Sequence, residues 1–147
     1  MKNNGNALSF RKIRSCYDEA IKIFPEYIAV YTNKGSALFG LNDFTAVVKC
    51  YNEALNLRFN REIENLPLVI STTYLHRGLA NYNQGYLTKA LDDFSKIYDS
   101  ETSPELKARK YLNMGLCYHK MNLFDKALNS TSKSFHLTKN RLLTMIC

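Results

Sequence analysis

Three times in this chain a tyrosine stands four residues ahead of a glycine, with an aromatic residue or leucine nine residues past that glycine: Tyr31/Gly35/Phe44, Tyr74/Gly78/Leu87 and Tyr111/Gly115/Phe124. Twelve residues beyond each glycine comes Val47, Ala90 or Ala127, and ten or eleven before it comes Pro25, Pro67 or Pro104. Units recurring at 43 and 37 residues, each with two helical stretches, predict stacked helical hairpins. Within a unit the apolar positions step by three and four, as in Tyr31, Leu38 and Leu41 and again in Val47, Val48, Tyr51, Ala54 and Leu55, which marks amphipathic helices. The segment Gly40-Leu41-Asn42-Asp43 breaks the first pair, with Asn42 or Asp43 placed to cap the second helix. The same layout gives helices over 68–84 and 86–98, and over 105–121 and 123–137. Ser103-Pro104-Glu105 is a helix start, with proline in the first turn and an acid at the positive helix end.

Each glycine has a physical task in this scheme. Without a side chain, Gly35, Gly78 and Gly115 let the partner helix approach closely, which offsets the ~1 kcal/mol lost in helix propensity. The tyrosine one turn earlier is expected to be buried beside each contact.

These residues resemble the tetratricopeptide repeat, a helix-turn-helix unit with the pattern W-x2-L-G-x2-Y, then A-x3-F, then P. Unit one supplies Tyr31, Gly35 and Leu38, then Val47, Tyr51 and Ala54; unit two Tyr74 and Gly78, then Ala90, Phe94 and Ile97; unit three Tyr111, Met114, Gly115 and Tyr118, then Ala127. The resemblance covers roughly residues 8–137 and implies an all-α, right-handed superhelix of antiparallel hairpins with about seven helices. Residues 1–147 read as a single domain: a half repeat over 7–27, repeats over 28–66, 67–103 and 104–138, and a tail or cap over 139–147. The first repeat exceeds the usual period, and residues 58–66 are expected to prolong its second helix toward Pro67. Phe10, Ile13, Tyr17 and Ala20 fit the second half of a unit whose first helix is missing, leaving an apolar face open to association. The apolar segment 141–147 is placed to start another helix or to pack on a partner. Departures from the pattern are Lys34 and Arg77 before the glycine, Asn81 for an aromatic and Thr131 for the second-helix aromatic, each expected to weaken packing locally.

Composition narrows the function classes. A chain of 147 residues with 46% hydrophobic content can bury a core without disulfides or metal. No apolar run approaches the ~18 residues a membrane span requires. The early Lys2, Arg11, Lys12 and Arg14 are compatible with an import presequence, but the repeat's use of Phe10, Ile13 and Tyr17 favours an ordinary basic helix. Cys16, Cys50, Cys117 and Cys147 form no metal-ligand spacing and read as reduced thiols of an intracellular, cytoplasmic protein, with Cys16 and Cys50 at buried repeat positions. The net charge of +7 arises wholly beyond residue 106, where eight basic side chains face Asp125 alone. Such an end concentrates acidic partners or simply solvates the last repeat.

No catalytic, phosphate-binding or metal motif is present, so no enzyme activity, cofactor or metal is expected. His76, His119 and His136 are scattered on helices, and Asp92-Asp93 reads as a solvated acidic pair. The resemblance places a candidate peptide-binding groove on the first helices: Thr32, Asn33, Ser36 and Phe39; Leu75, Leu79 and Tyr82; Arg109, Leu112, Asn113, Leu116 and His119. The carboxylate clamp of the family's chaperone-tail receptors is missing, since Thr32 and Ser36 stand where its first lysine and asparagine would be. The groove would therefore take apolar side chains of a protein or peptide partner, with Asn33 and Asn113 bonding an extended backbone, and the basic end favouring an acidic one. Alternatively, the leucines only widen the buried stripe. A non-enzymatic adaptor is the leading reading, a structural subunit self-associating through uncovered repeat ends the second. Nucleic-acid binding ranks last, because basic residues sit at one end rather than in every unit.

Overall fold

A computed structural model describes residues 4–57, 66–99 and 102–146. Its described residues form seven helices and no strand: α1 (Asn4–Ile23), α2 (Ile28–Gly40), α3 (Phe44–Leu57), α4 (Leu66–Asn83), α5 (Leu87–Ser95), α6 (Pro104–Lys120) and α7 (Phe124–Ile146). The contacts gather into two compact units where the sequence reads as one domain: Met1–Ile63, with α1 to α3, and Glu64–Cys147, with α4 to α7.

Three antiparallel hairpins follow from three identical turns. Asn42, Gly85 and Asn122 all take a left-handed backbone, with φ of 60°, 83° and 59°. This conformation suits glycine and asparagine and is strained for most other residues. It lets Asp43, Tyr86 and Leu123 donate their backbone N–H back to Leu38, Asn81 and Tyr118, at 3.2, 2.9 and 2.9 Å, satisfying carbonyls the helix end leaves open. Asp43 caps α3 through its Oδ1, which accepts from the Ala46 N–H at 3.2 Å. Ser103 does the same for α6, accepting from the Leu106 N–H at 3.3 Å, with Pro104 in the first turn.

The glycine seams are close. A Cβ added at Gly35 would lie 2.8 Å from the Tyr51 ring, at Gly78 2.5 Å from Phe94, and at Gly115 2.6 Å from the Thr131 methyl. Each helix pair is therefore tightened to the limit its side chains allow. The core of unit 1 is Leu38, Val47, Tyr51 and Ala54; that of unit 2 is Leu75, Ala80, Ala90, Phe94, Ile97 and Cys117.

Several expectations need correction. α5 ends at Ser95 rather than at Tyr98, because the N–H groups of Lys96 and Ile97 tighten onto Asp93 and Phe94 three residues back. α7 runs without a break to Ile146, so residues 139–146 continue it and start no separate helix. Nothing from 124 to 146 is a glycine or proline that would end it. The extension over 58–66 falls largely outside the described residues, and Leu66 belongs to α4. Of the three tyrosines only Tyr74 is buried; Tyr31 and Tyr111 stay half-exposed because their hydroxyls reach Pro25 O and Asp99 Oδ2, each at 2.8 Å. Cys16 is exposed rather than buried, while Cys50 is buried as expected and Cys117 is buried as well. Cys16 stands two residues from Arg14 and Asp18, which reach α2 and α3, and two residues is half a helical turn, so it faces the other way. Cys147 lies outside the described residues.

Candidate functional site

In unit 1 the candidate residues sit on α2. Thr32 and Ser36 turn their hydroxyls onto their own helix, donating to Ala29 O at 3.1 Å and Thr32 O at 3.0 Å, and Ser36 also meets the Tyr51 hydroxyl at 3.1 Å. Phe39 packs edge-on against Phe44, with ring centroids 5.3 Å apart. Asn33 is exposed. Side chains of α1, α2 and α3 line an open pocket of about 450 Å³, among them buried Leu38 and Cys50 and the charged Arg14, Asp18, Lys34, Lys49 and Glu53. Lys34 and Asp18 pair within it at 2.5 Å, and the lining as a whole carries three basic side chains against two acidic ones. Burial pushes the Cys50 thiol up from its ordinary value, against the lesser pull of Lys34. This disfavours the nucleophilic thiolate.

In unit 2 the residues separate by burial. Leu75 is 0% exposed and belongs to the core, covered where α6 packs on α4, so it presents nothing to a ligand. Leu79 and Tyr82 are half-buried on α4, and Lys120 from α6 lies 3.9 Å over the Tyr82 ring, a cation–π contact absent from the sequence reading. On α6, Leu112 and Leu116 are 46% and 41% exposed and Arg109 and His119 are exposed. His119 packs edge-on against Phe124 at 5.7 Å. The Asn113 side-chain N–H donates to Arg109 O at 2.8 Å, so its amide is turned along its own helix. His76 is half-buried, and burial together with Arg109 pushes its imidazole below the usual range. Both favour the neutral ring. Burial raises the Cys117 thiol to about 11.

Two further features escaped sequence reasoning. Asp93 is not solvated: it is 1% exposed and accepts from Arg77 Nε at 3.1 Å and from Asn81 Nδ2 at 2.9 Å. Arg77 and Asn81 had read as separate departures from the repeat, and they are partners of one carboxylate. The basic surplus is also partly spent internally. Lys110 is buried, donating to Ile97 O at 2.9 Å and Asp99 Oδ1 at 3.0 Å, and Lys126 and Lys133 lie over the rings of Tyr118 and Tyr111.

The tetratricopeptide repeat family profile matches residues 28–61, the α2–α3 hairpin and the start of the segment after it. The chain carries tetratricopeptide repeats. Across 114 residues it is 30% identical to Tetratricopeptide repeat protein 8 of Caenorhabditis elegans, covering 78% of this chain. The chain spans about a fifth of that relative's length, 20%. Among solved structures, the crystal structure of MamA superimposes with a TM-score of 0.73 over 88% of this chain and 68% of MamA, at 22% identity. A structure titled MamA RS-1 ArsTM double mutant gives 0.73 over 92% and 70%, at 15% identity. At such identities the likeness is one of fold.

As a tetratricopeptide-repeat chain the protein is a protein-interaction or scaffold module, of a kind that is generally non-enzymatic. No helix of the described residues is long and apolar enough to cross a membrane. No three His, Cys, Asp or Glu gather to hold a metal among the described residues.

Proposed function

We propose that the protein is a non-enzymatic adaptor that receives an apolar segment of a partner protein, as an amphipathic helix or extended peptide, on the face of unit 2 built by α4 and α6. The observation that carries this reading is the exposure of Leu112 and Leu116, 46% and 41%, on a helix already packed against α4, α5 and α7. Neighbouring Leu79 and Tyr82 are partly open as well. Completing the burial of two such leucines would contribute roughly 1 kcal/mol each. Arg109 and Lys120 flank the pair, which favours a segment with acidic ends, more through the rate of encounter than through affinity. On α2, Asn33 and Ser36 give unit 1 a more polar surface, suited to backbone hydrogen bonds rather than to anchors.

The test is a pull-down comparing wild type with the double variant Leu79→Glu, Leu116→Glu, with circular dichroism to confirm that helix content is kept. Loss of partners from the variant supports this face. An unchanged set of partners removes the site from it.

A further inference from the structure

All three helices of unit 1 contribute to the open pocket of about 450 Å³: Arg14 and Asp18 come from α1, Lys34 and Leu38 from α2, and Lys49 and Glu53 from α3. Cys50 marks its floor. Raised by burial, that thiol also feels the charges of Lys34, Asp18, Arg14 and Lys49, so cations from three helices converge on one place. Arg14 is held by Asp43 at 2.7 Å and Lys34 by Asp18, whereas the exposed Lys49 and Glu53 make no ion pair among the described residues. What this place lacks is a ring. Gly35 and Gly115 are each followed after seven residues by the turn asparagine, Asn42 or Asn122, so the two hairpins keep one register up to their second helices. In that register Leu38 and Ala46 stand where hairpin α6–α7 has Tyr118 and Lys126. There Lys126 Nζ lies 5.9 Å from the centre of the Tyr118 ring, and Lys133 Nζ 5.4 Å from that of Tyr111. In α2–α3 the shorter Leu38 and Ala46 bring no ring, while the cations around them remain.

We propose that this pocket takes a tryptophan side chain of a partner protein, its ring faces against Arg14, Lys34 and Lys49 and its N–H donated to the Glu53 carboxylate. Both signs of charge in the lining decide the class. An acidic side chain would meet Asp18 and Glu53, a basic one Arg14, Lys34 and Lys49, and an aliphatic one would answer neither. An aromatic ring answers both, because cations are drawn to its negative faces, most strongly to those of an indole, and a donor at its edge satisfies a carboxylate. The volume lies within the range of pockets that hold small ligands. These 147 residues contain no tryptophan, so a second copy of them cannot supply it. Choosing a peptide side chain over a free indole rests on the interaction-module reading, and the site itself lies outside the α4–α6 face.

The probes are the N-acetyl amides of tryptophan, phenylalanine and cyclohexylalanine, titrated into the isotope-labelled whole chain and followed by the backbone NMR shifts of Ala46 and Cys50. The tryptophan amide should bind tightest. The phenylalanine amide, which has no donor, should bind about threefold more weakly, and the cyclohexyl amide, with neither donor nor π face, about tenfold more weakly. Ala46→Phe sets a ring in the pocket from within and should weaken the tryptophan amide roughly tenfold or more. Lys49→Gln, at an exposed position that folding does not depend on, should cut the tryptophan amide's advantage over the cyclohexyl amide about threefold. Equal affinities of the three amides, or a tryptophan amide indifferent to both variants, would overturn the inference. Free indole binding as tightly as the tryptophan amide would give the pocket to a small molecule and overturn the peptide assignment. No partner enters these titrations, so the fate of partners in Leu79→Glu with Leu116→Glu bears on the adaptor reading alone.

Discussion

Hairpins α4–α5 and α6–α7 share a glycine and an alanine at matching places, Gly78 with Ala90 and Gly115 with Ala127, yet they seal their seams by different chemistry. In α4–α5 the wholly buried Phe94 ring lies against Gly78, and Arg77, Asn81 and Asp93 close a polar triad beside it. In α6–α7 the smaller Thr131 faces Gly115, and the triad's places are taken by Met114, Tyr118 and Ser130. The two hairpins differ at all three of these places. The backbone approach set by the glycine is common to both, and the side chains lining it differ as a set. A buried ion pair in such a set contributes less to net stability than to a single defined arrangement, since desolvation offsets much of its attraction.

The strongest way to break that comparison is Asp93→Ala. It leaves the Asn81 amide, 5% exposed, and the Arg77 side chain, 17% exposed, without their carboxylate. Removing one partner of a buried pair costs about 3–5 kcal/mol. Urea denaturation should show that loss, and installing the other hairpin's set, Arg77→Met, Asn81→Tyr and Asp93→Ser together, should recover much of it. A loss under about 1 kcal/mol in Asp93→Ala would mean the triad is no coupled unit.

The glycines sharpen the contrast at a smaller scale. In Gly78→Ala the new methyl would lie 2.5 Å from Cε1 of a ring with no room to retreat, a steric cost of about 1–3 kcal/mol against ~1 kcal/mol regained in helix propensity. In Gly115→Ala the obstacle is the Thr131 methyl at 2.6 Å, with the Ala127 carbonyl oxygen at 3.3 Å. Thr131→Ser deletes that methyl and should restore most of the stability of Gly115→Ala. Phe94→Leu should not rescue Gly78→Ala, because it opens a cavity in the core. Thermal melts of the four variants decide it, and a Gly115→Ala, Thr131→Ser protein no more stable than Gly115→Ala refutes the seam geometry.

What could be read from sequence was what repeats. The hairpins, their turns at Asn42, Gly85 and Asn122, and the glycine seams all obey fixed spacings, because backbone approach tolerates few residue types. The buried Asp93 obeys none: Asp92-Asp93 on a helix looks solvated, and its burial depends on Arg77 and Asn81, sixteen and twelve residues earlier. The available signal was that both departures from the repeat carry polar side chains, one turn apart on the same helix. Leu75 was misplaced for a related reason. One spacing serves both Leu75 and Leu112, and only the presence of α6 over the first distinguishes a core residue from a surface one. The exposure of Cys16 likewise follows from which side of α1 packs, which periodicity alone left open.

The smallest effect lies at the joint between the two hairpins, where Asp99 meets α6. Burial alone would raise its carboxyl, but the Tyr111 hydroxyl and the Lys110 ammonium together hold it below the ordinary value. A depressed carboxyl contributes stability that is present above its unfolded pKa and is lost as pH falls through the folded one, so this joint should weaken below about pH 4. With its side chain 49% exposed, Asp99 is screened by solvent, and the contribution stays under about 1 kcal/mol. Asp99→Asn should therefore be slightly less stable than wild type at pH 6, with the gap in urea midpoint narrowing as the pH falls below about 4. No matching carboxylate exists 37 residues later, where His136 stands. A gap that fails to narrow as the pH falls below about 4 would show that the hydroxyl and ammonium hold the position through geometry rather than charge, and the electrostatic contrast between Asp99 and His136 would lose its basis.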